Sequence, residues 1–219
     1  MPTETSRRAD ILDAAQARFA LQGFDGTTIK DIAADAGVNS ALLYYYFRDK
    51  ERLYQAVLDR LVQDMVKGAI RRLEAPGPPE ARLRGFLELQ GEVFGTHPHF
   101  YPLMLRELVD HAATHAVRQI KLIAATMFRR LCEVIEEGQR SGVFRADLDP
   151  RFAAISSVAV VAHFFTARPA IGLFLGHSLQ GPPPDVVRAY VRHAVEFVLA
   201  ALLAPAGVPA PARRKGAAR

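Results

Sequence analysis

The chain has 219 residues, half of them apolar, with 28 Lys and Arg against 23 Asp and Glu for a net charge of +5. That is enough apolar material for a sizeable core in one or two domains, while fifteen Gly and fourteen Pro exclude a collagen-like or low-complexity chain. One cysteine, Cys132, excludes a disulfide framework and a multi-cysteine zinc site.

Apolar residues recur three or four positions apart almost throughout, and strand-like alternation is missing, so the pattern predicts an all-α chain of about nine helices. The first covers about residues 6–22, with Ile11, Leu12, Ala15 and Phe19 on one face, and stops at Gly23. Thr28 and Asp31 form a capping-box-like pair that starts a second helix carrying the stripe Ile29, Ile32, Ala33, Ala36. Gly37 breaks it, because glycine tolerates the left-handed backbone of a tight turn. Asn39 or Ser40 caps a short third helix ending at Tyr46 or Phe47, and Asp49 caps a long fourth one running toward Leu73. After the breaker Ala75-Pro-Gly-Pro-Pro79, helices are predicted near 80–95, 101–111, 115–141, 150–175 and 184–204. The segments 155–165 and 194–204 are apolar on most sides. A second copy of the chain is expected to cover what one copy leaves open, giving a homodimer with a four-helix-bundle interface. Residues 205–219, rich in Ala, Pro and Arg, are expected to form a disordered basic tail.

The second and third helices, joined by Ala36-Gly37-Val38, read as a helix-turn-helix whose second helix enters a major groove. Leu43 and Phe47 can face the core with Ile32, Ala33 and Phe19, leaving Ser40, Ala41, Tyr45 and part of Leu42 outside. Three consecutive tyrosines are poor candidates for burial as a set, since each hydroxyl needs a partner. The run ADILDAAQARFALQGFDGTTIKDIAADAGVNSALLYYYFRDKERLYQAVL resembles the DNA-binding domain of the TetR family of bacterial transcriptional regulators over about residues 7–58. The IL-x-AA helix ending in F…G, the T-T-x-x-x-IA-x-x-AGV core and LYYYF-x-x-K-x-x-L occur in that order. The resemblance implies that Ser40, Ala41 and Leu42 open the recognition helix and that Lys30 also faces base edges. It implies phosphate contacts for Thr28, Tyr45, Tyr46 and Lys50, an internal bracing role for Tyr44, and an N-terminal arm at Arg7 and Arg8. By local chemistry alone, Thr28 also reads as a plain N-cap and Lys30 as a solvated charge. Leu42 stands where family members often carry Gly or Thr. Ser40 is then the sole strong hydrogen-bonding group on that turn, and readout shifts toward Lys30 and DNA shape.

Bulk charge is a weak guide here. Four of the five net charges belong to Arg213, Arg214, Lys215 and Arg219 in the acid-free tail, and residues 1–50 carry six basic against seven acidic side chains. The case for DNA rests on placement.

Beyond the motif the resemblance is one of architecture, to a divergent helical effector-binding and dimerisation domain. Gln90, Phe94, Tyr101, Met104, Arg106, Met127, Phe128, His163 and Phe164 are the candidate lining of an apolar effector pocket with a few polar anchors. Gln90, Arg106, Glu107 and His163 stand out because burial would oblige them to find partners. Arg106 and Glu107 are adjacent and cannot share one helical face. His111 and His115 have chelating spacing beside Asp110, but two ligands do not make a site, and neither a metal nor another cofactor is expected. Gly176-His177-Ser178-Leu179-Gln180 misses the esterase elbow at its last residue, no Glu precedes a His by three positions, and phosphate-cradling loops are missing. No enzyme is expected.

The expectation is therefore a ligand-responsive, homodimeric, DNA-binding transcriptional regulator, taken as a repressor released from a palindromic operator by a small-molecule effector. Its expected partners are double-stranded DNA, the effector and a second copy, with no membrane. A cytoplasmic location is expected, because nothing resembles an apolar leader and the greasiest stretch, 152–175, carries His163, Arg168 and Pro169. The expected division is a helix-turn-helix domain at 1–48, an effector-binding and dimerisation domain at 49–204, and the tail at 205–219.

Overall fold

The computed structural model describes residues 4–97, 99–110 and 112–205. Most of the expected tail thus lies outside the described residues. The fold is all-α, as expected: α1 (Glu4–Gln22), α2 (Ile29–Asp35), α3 (Ser40–Phe47), α4 (Lys50–Leu73), α5 (Pro79–Thr96), α6 (Phe100–Asp110), α7 (Val117–Ile123), a π-turn (Ala124–Phe128), α8 (Arg129–Arg140), α9 (Pro150–Thr166), α10 (Arg168–Phe174) and α11 (Pro184–Leu202). These fall into two compact units. One comprises the chain up to Lys67 together with Val93–Ala125; the other comprises Gly68–Glu92 and the chain from Thr126 onward.

In the first unit α1 packs on α2 and α6, and α2 on α3. The apolar stripe of α1 places Ile11, Ala15 and Phe19 wholly inside, with Ile32, Leu43 and Tyr54 around them. Phe19 meets Tyr54 edge-on at 4.8 Å between ring centres. Gly23, at φ +74°, ends α1 in the left-handed conformation that glycine adopts at least cost. After α6 the backbone takes that conformation twice without glycine, at Ala112 (φ 47°) and Ala113 (φ 63°). Each costs about 1–2 kcal/mol, so neighbouring contacts must hold the turn. Glu107, with no exposure, does so: its Oε1 accepts from the amides of His115 (2.6 Å) and Ala116 (3.0 Å).

In the second unit α9 packs against α8, α10 and α11. Asp149 caps α9, its Oδ1 accepting from the Arg151 amide at 2.8 Å, and Pro150 occupies the first turn, where no N–H is required. Phe164 stacks on Tyr190 at 4.0 Å, and Tyr190 Oη donates to the Val160 carbonyl at 2.8 Å. A methyl group on Gly91 would fall 2.5 Å from Val191 Cγ1, so glycine there permits α5 and α11 to approach closely.

Two expectations about helices are corrected. The single helix predicted over 150–175 is α9 and α10, bent by 77°. Pro169 lacks an amide hydrogen and its ring would clash with the carbonyl of residue 165, so a straight continuation is impossible. The helix predicted over 115–141 begins at Val117 and holds a π-turn, which fits one extra residue into the helical ladder. Among the described residues no single helix is long and apolar enough to cross a membrane. The second unit nonetheless exposes Phe152 and Ile155 on α9 and Phe197 on α11.

Candidate nucleic-acid interface

The α2–α3 corner is built from local signals. Thr28 Oγ1 accepts from the Asp31 amide at 3.2 Å, and Asp31 Oδ2 accepts from the Thr28 amide at 3.2 Å and its hydroxyl at 2.6 Å, a complete capping box. The Thr28 hydroxyl and, more weakly, its amide hold the Asp31 carboxyl below its ordinary range. Gly37 turns the chain at φ +63°, with open space where a Cβ would sit. Asn39 Oδ1 then accepts from the Leu42 amide at 2.8 Å and starts α3. Leu43 and Phe47 are buried with Ile32, Ala33 and Phe19, as their spacing predicts. Arg18 of α1 grips Asp35 of α2 through two nitrogens, which keeps that carboxyl below its usual range as well.

On the outward side, Thr28, Lys30, Ala41 and Tyr45 are exposed, and Ser40, Leu42, Tyr46 and Lys50 are half-buried. Ala41 and Tyr45, four apart, share a face of α3. Tyr45 and Tyr46 meet edge-on at 5.3 Å. Tyr44 is 53% exposed, so its expected bracing role from within is corrected: it projects away from the stripe formed by Leu43 and Phe47. The Arg8 guanidinium lies 5.1 Å over the Phe47 ring, which seats one residue of the expected arm. Lys50 has partners that sequence spacing does not reveal. Its ammonium donates to the carbonyls of Phe24 (3.0 Å) and Thr27 (3.2 Å) and sits 4.3 Å over the Phe24 ring.

The nine expected effector residues divide between the two units. Phe94, Tyr101, Met104 and Arg106 belong to the first; Gln90, Met127, Phe128, His163 and Phe164 belong to the second. Phe94, Met127 and Phe164 are buried. Gln90 is buried too, its Nε2 donating to Val158 O at 3.3 Å while its Oε1 has no hydrogen-bond partner among the described residues. His163 is exposed, so the partners that burial would have required of it are not needed. Arg106 donates from Nε to Ala20 O (3.2 Å) and from Nη2 to Leu21 O (2.9 Å), at the end of α1. Glu107, its neighbour, points the other way into the core, as two adjacent helical residues must. Of the spaced histidines, His111 lies outside the described residues and His115 Nδ1 stands 3.2 Å from Glu107 Oε2. Sequence reasoning missed Arg60, whose Nη2 joins Asp13 and Gln16 of α1 to α4 at 2.8 Å each. These partners are more than forty residues apart, and no local pattern announces them.

Residues 11–57 match the model of the bacterial regulatory proteins of the tetR family, and 79–198 match the tetracyclin repressor-like C-terminal domain. The chain is 27% identical over 174 residues to the HTH-type transcriptional repressor NicS of Pseudomonas putida, covering 78% of this chain and 82% of that one. It is 30% identical over 152 residues to the HTH-type transcriptional repressor KstR2 of Rhodococcus jostii, covering 68% and 74% respectively. Its fold is similar to that of the ketosteroid transcriptional regulator KstR2 of Mycobacterium tuberculosis, with a TM-score of 0.70 at 22% identity over 93% of this chain and 98% of that one.

Proposed function

Because the chain belongs to the TetR family of bacterial regulatory proteins, we propose that it is a homodimeric repressor released from a palindromic operator by a small-molecule effector. The observation that carries the DNA-binding part is the corner itself. Two capped helices meet at Gly37 and present Lys30, Ala41 and Tyr45 outward. Ser40, Ala41, Leu42 and Lys30 then read base edges, while Thr28, Tyr45, Tyr46 and Lys50 lie along phosphates. The exposed Phe152, Ile155 and Phe197 support a second copy as the cover for α9 and α11. The orphaned, buried Oε1 of Gln90 supports a polar anchor for the effector in the second unit. In this reading the protein is no enzyme and works in the cytoplasm.

Release requires the effector to bind the DNA-incompetent state more tightly than the competent one, since equal affinity shifts nothing. α4, one unbroken helix from Lys50 to Leu73, is the proposed link. Gel retardation of the DNA upstream of the protein's own gene tests the reading. Retardation that survives excess random competitor is expected; binding equal to competitor overturns it.

A further inference from the structure

We propose that the first unit contains a second small-molecule site, separate from the residues read above as effector-binding, that takes an organic ammonium with an apolar body. A cavity of about 550 Å³ opens within this unit between α1, α4, the end of α5 and the start of α6, a volume typical of small-molecule sites. Its apolar wall includes Leu61 and Met65 of α4 and Phe100 of α6.

The polar groups define the ligand's charge. Arg60 is matched by Asp13 at 2.8 Å, so the pair contributes no net charge to the cavity. Asp64 lines the same wall and has no ion-pair or hydrogen-bond partner among the described residues. One carboxylate therefore remains without a counter-charge beside an apolar wall, which favours a cation and repels an anion. Gln16 adds a polar group to the same wall. It is nine-tenths buried, lines the cavity, and its Oε1 accepts from Arg60 Nη2 at 2.8 Å. Because Arg60 can only donate, the orientation of the carboxamide is fixed. Its NH₂ group has no hydrogen-bond partner among the described residues and stays open to solvent, so it can donate to a polar atom in the body of a ligand. A molecule held here touches α1, the first helix of the DNA-binding domain, and the Arg60 bridge from α1 to α4. It alters DNA binding without a relay, a consequence that rests on the regulator reading above.

The test uses the full chain and three probes that differ only in their head group: 6-phenylhexylamine, 6-phenylhexan-1-ol and 6-phenylhexanoate, titrated calorimetrically at pH 7.5. The amine is expected to bind about tenfold more tightly than the carboxylate. Asp64→Asn, at an exposed position, is expected to bring the two within about twofold. Ala17→Phe and, independently, Met65→Trp are expected to fill the space and remove binding of all three, with the helical circular dichroism of the chain as a check on folding. Preference for the carboxylate, equal binding of all three, no saturable binding at millimolar probe, or a preference that survives Asp64→Asn overturns the site. Gel retardation on the same samples separates the two readings. Specific retardation with no probe binding removes this site and leaves the regulator; amine-selective binding with no specific retardation removes the regulator and leaves the site.

Discussion

Tyr54 Oη donates to Glu107 Oε2 at 3.0 Å, inside the first unit, where Glu107 has no solvent exposure and Tyr54 has almost none. The same carboxyl group accepts from two backbone amides at the start of α7 and stands within reach of His115 Nδ1. One side chain on α6 thus fastens α4, the left-handed turn at Ala112 and Ala113, and α7. Glu107→Ala strands a tyrosine hydroxyl and two amides, and should cost about 3 kcal/mol in a urea unfolding curve. Glu107→Gln keeps the amide acceptor and lets the Tyr54 hydroxyl rotate, so it should cost well under half as much. Equal losses for the two variants would remove the hydrogen-bonding account.

Gly37 separates conformational from steric cost. An added Cβ would touch nothing within 4 Å, yet the backbone is left-handed. Gly37→Ala should destabilise by about 1–2 kcal/mol through backbone strain alone, and Gly37→Asn by less, because asparagine tolerates this conformation. Thermal unfolding of both variants checks the order; alanine as benign as asparagine would contradict it.

Lys50 and Lys30 should behave differently. Lys50→Met removes a cation that donates to two carbonyls and covers the Phe24 ring, so the unfolding midpoint and the affinity for every DNA sequence should fall together. Lys30 is exposed. Lys30→Ala and Ser40→Ala should leave the melting temperature within a degree or so, cost about 1–3 kcal/mol on the best site, and relax sequence preference. Competition gel shifts with mutated operators measure this. A Lys50→Met protein with wild-type stability would show that its ammonium is free for phosphate alone.

Asp149 sets an acid limit on the second unit. Its carboxyl is held at about 2, chiefly by the Arg151 guanidinium and then by the Arg151 amide. A folded value below the unfolded one stabilises the fold above about pH 3.8, and that contribution disappears as pH falls toward 2. Asp149→Asn keeps a good N-cap but cannot titrate. The difference between wild type and Asp149→Asn in urea midpoint should therefore be constant from pH 7 to 5 and shrink between pH 4 and 2. A difference that does not change with pH would separate the cap from the ion pair.

The legible parts of this fold are those that short spacings encode. Thr28 with Asp31, the glycine at 37 and the pair Leu43–Phe47 each act within a few residues, and the sequence pattern places the α2–α3 corner almost to the residue. Pro169 was visible as well, but not the size of the bend it imposes, because the direction taken by α10 depends on what α9 packs against. His163 shows the limit of composition: it sits amid an apolar run, and only the rotation of α9 decides that it faces outward. Arg60 with Asp13 and Lys50 with Phe24 were illegible for a simpler reason. Such pairs join chain segments 26 or more residues apart, and one sequence carries no record of which segments meet.

The grip of Arg106 on the last carbonyls of α1 bears on how far the helix-turn-helix head can be treated as a detachable part. Helix ends leave carbonyls in want of donors, and at Ala20 and Leu21 the donor comes from 85 positions or more downstream. A gene fragment cut where the recognisable motif stops would discard that donor along with the rest of α6. The head and its brace are inherited together, so swapping heads between relatives means carrying a stretch from the middle of the gene with them.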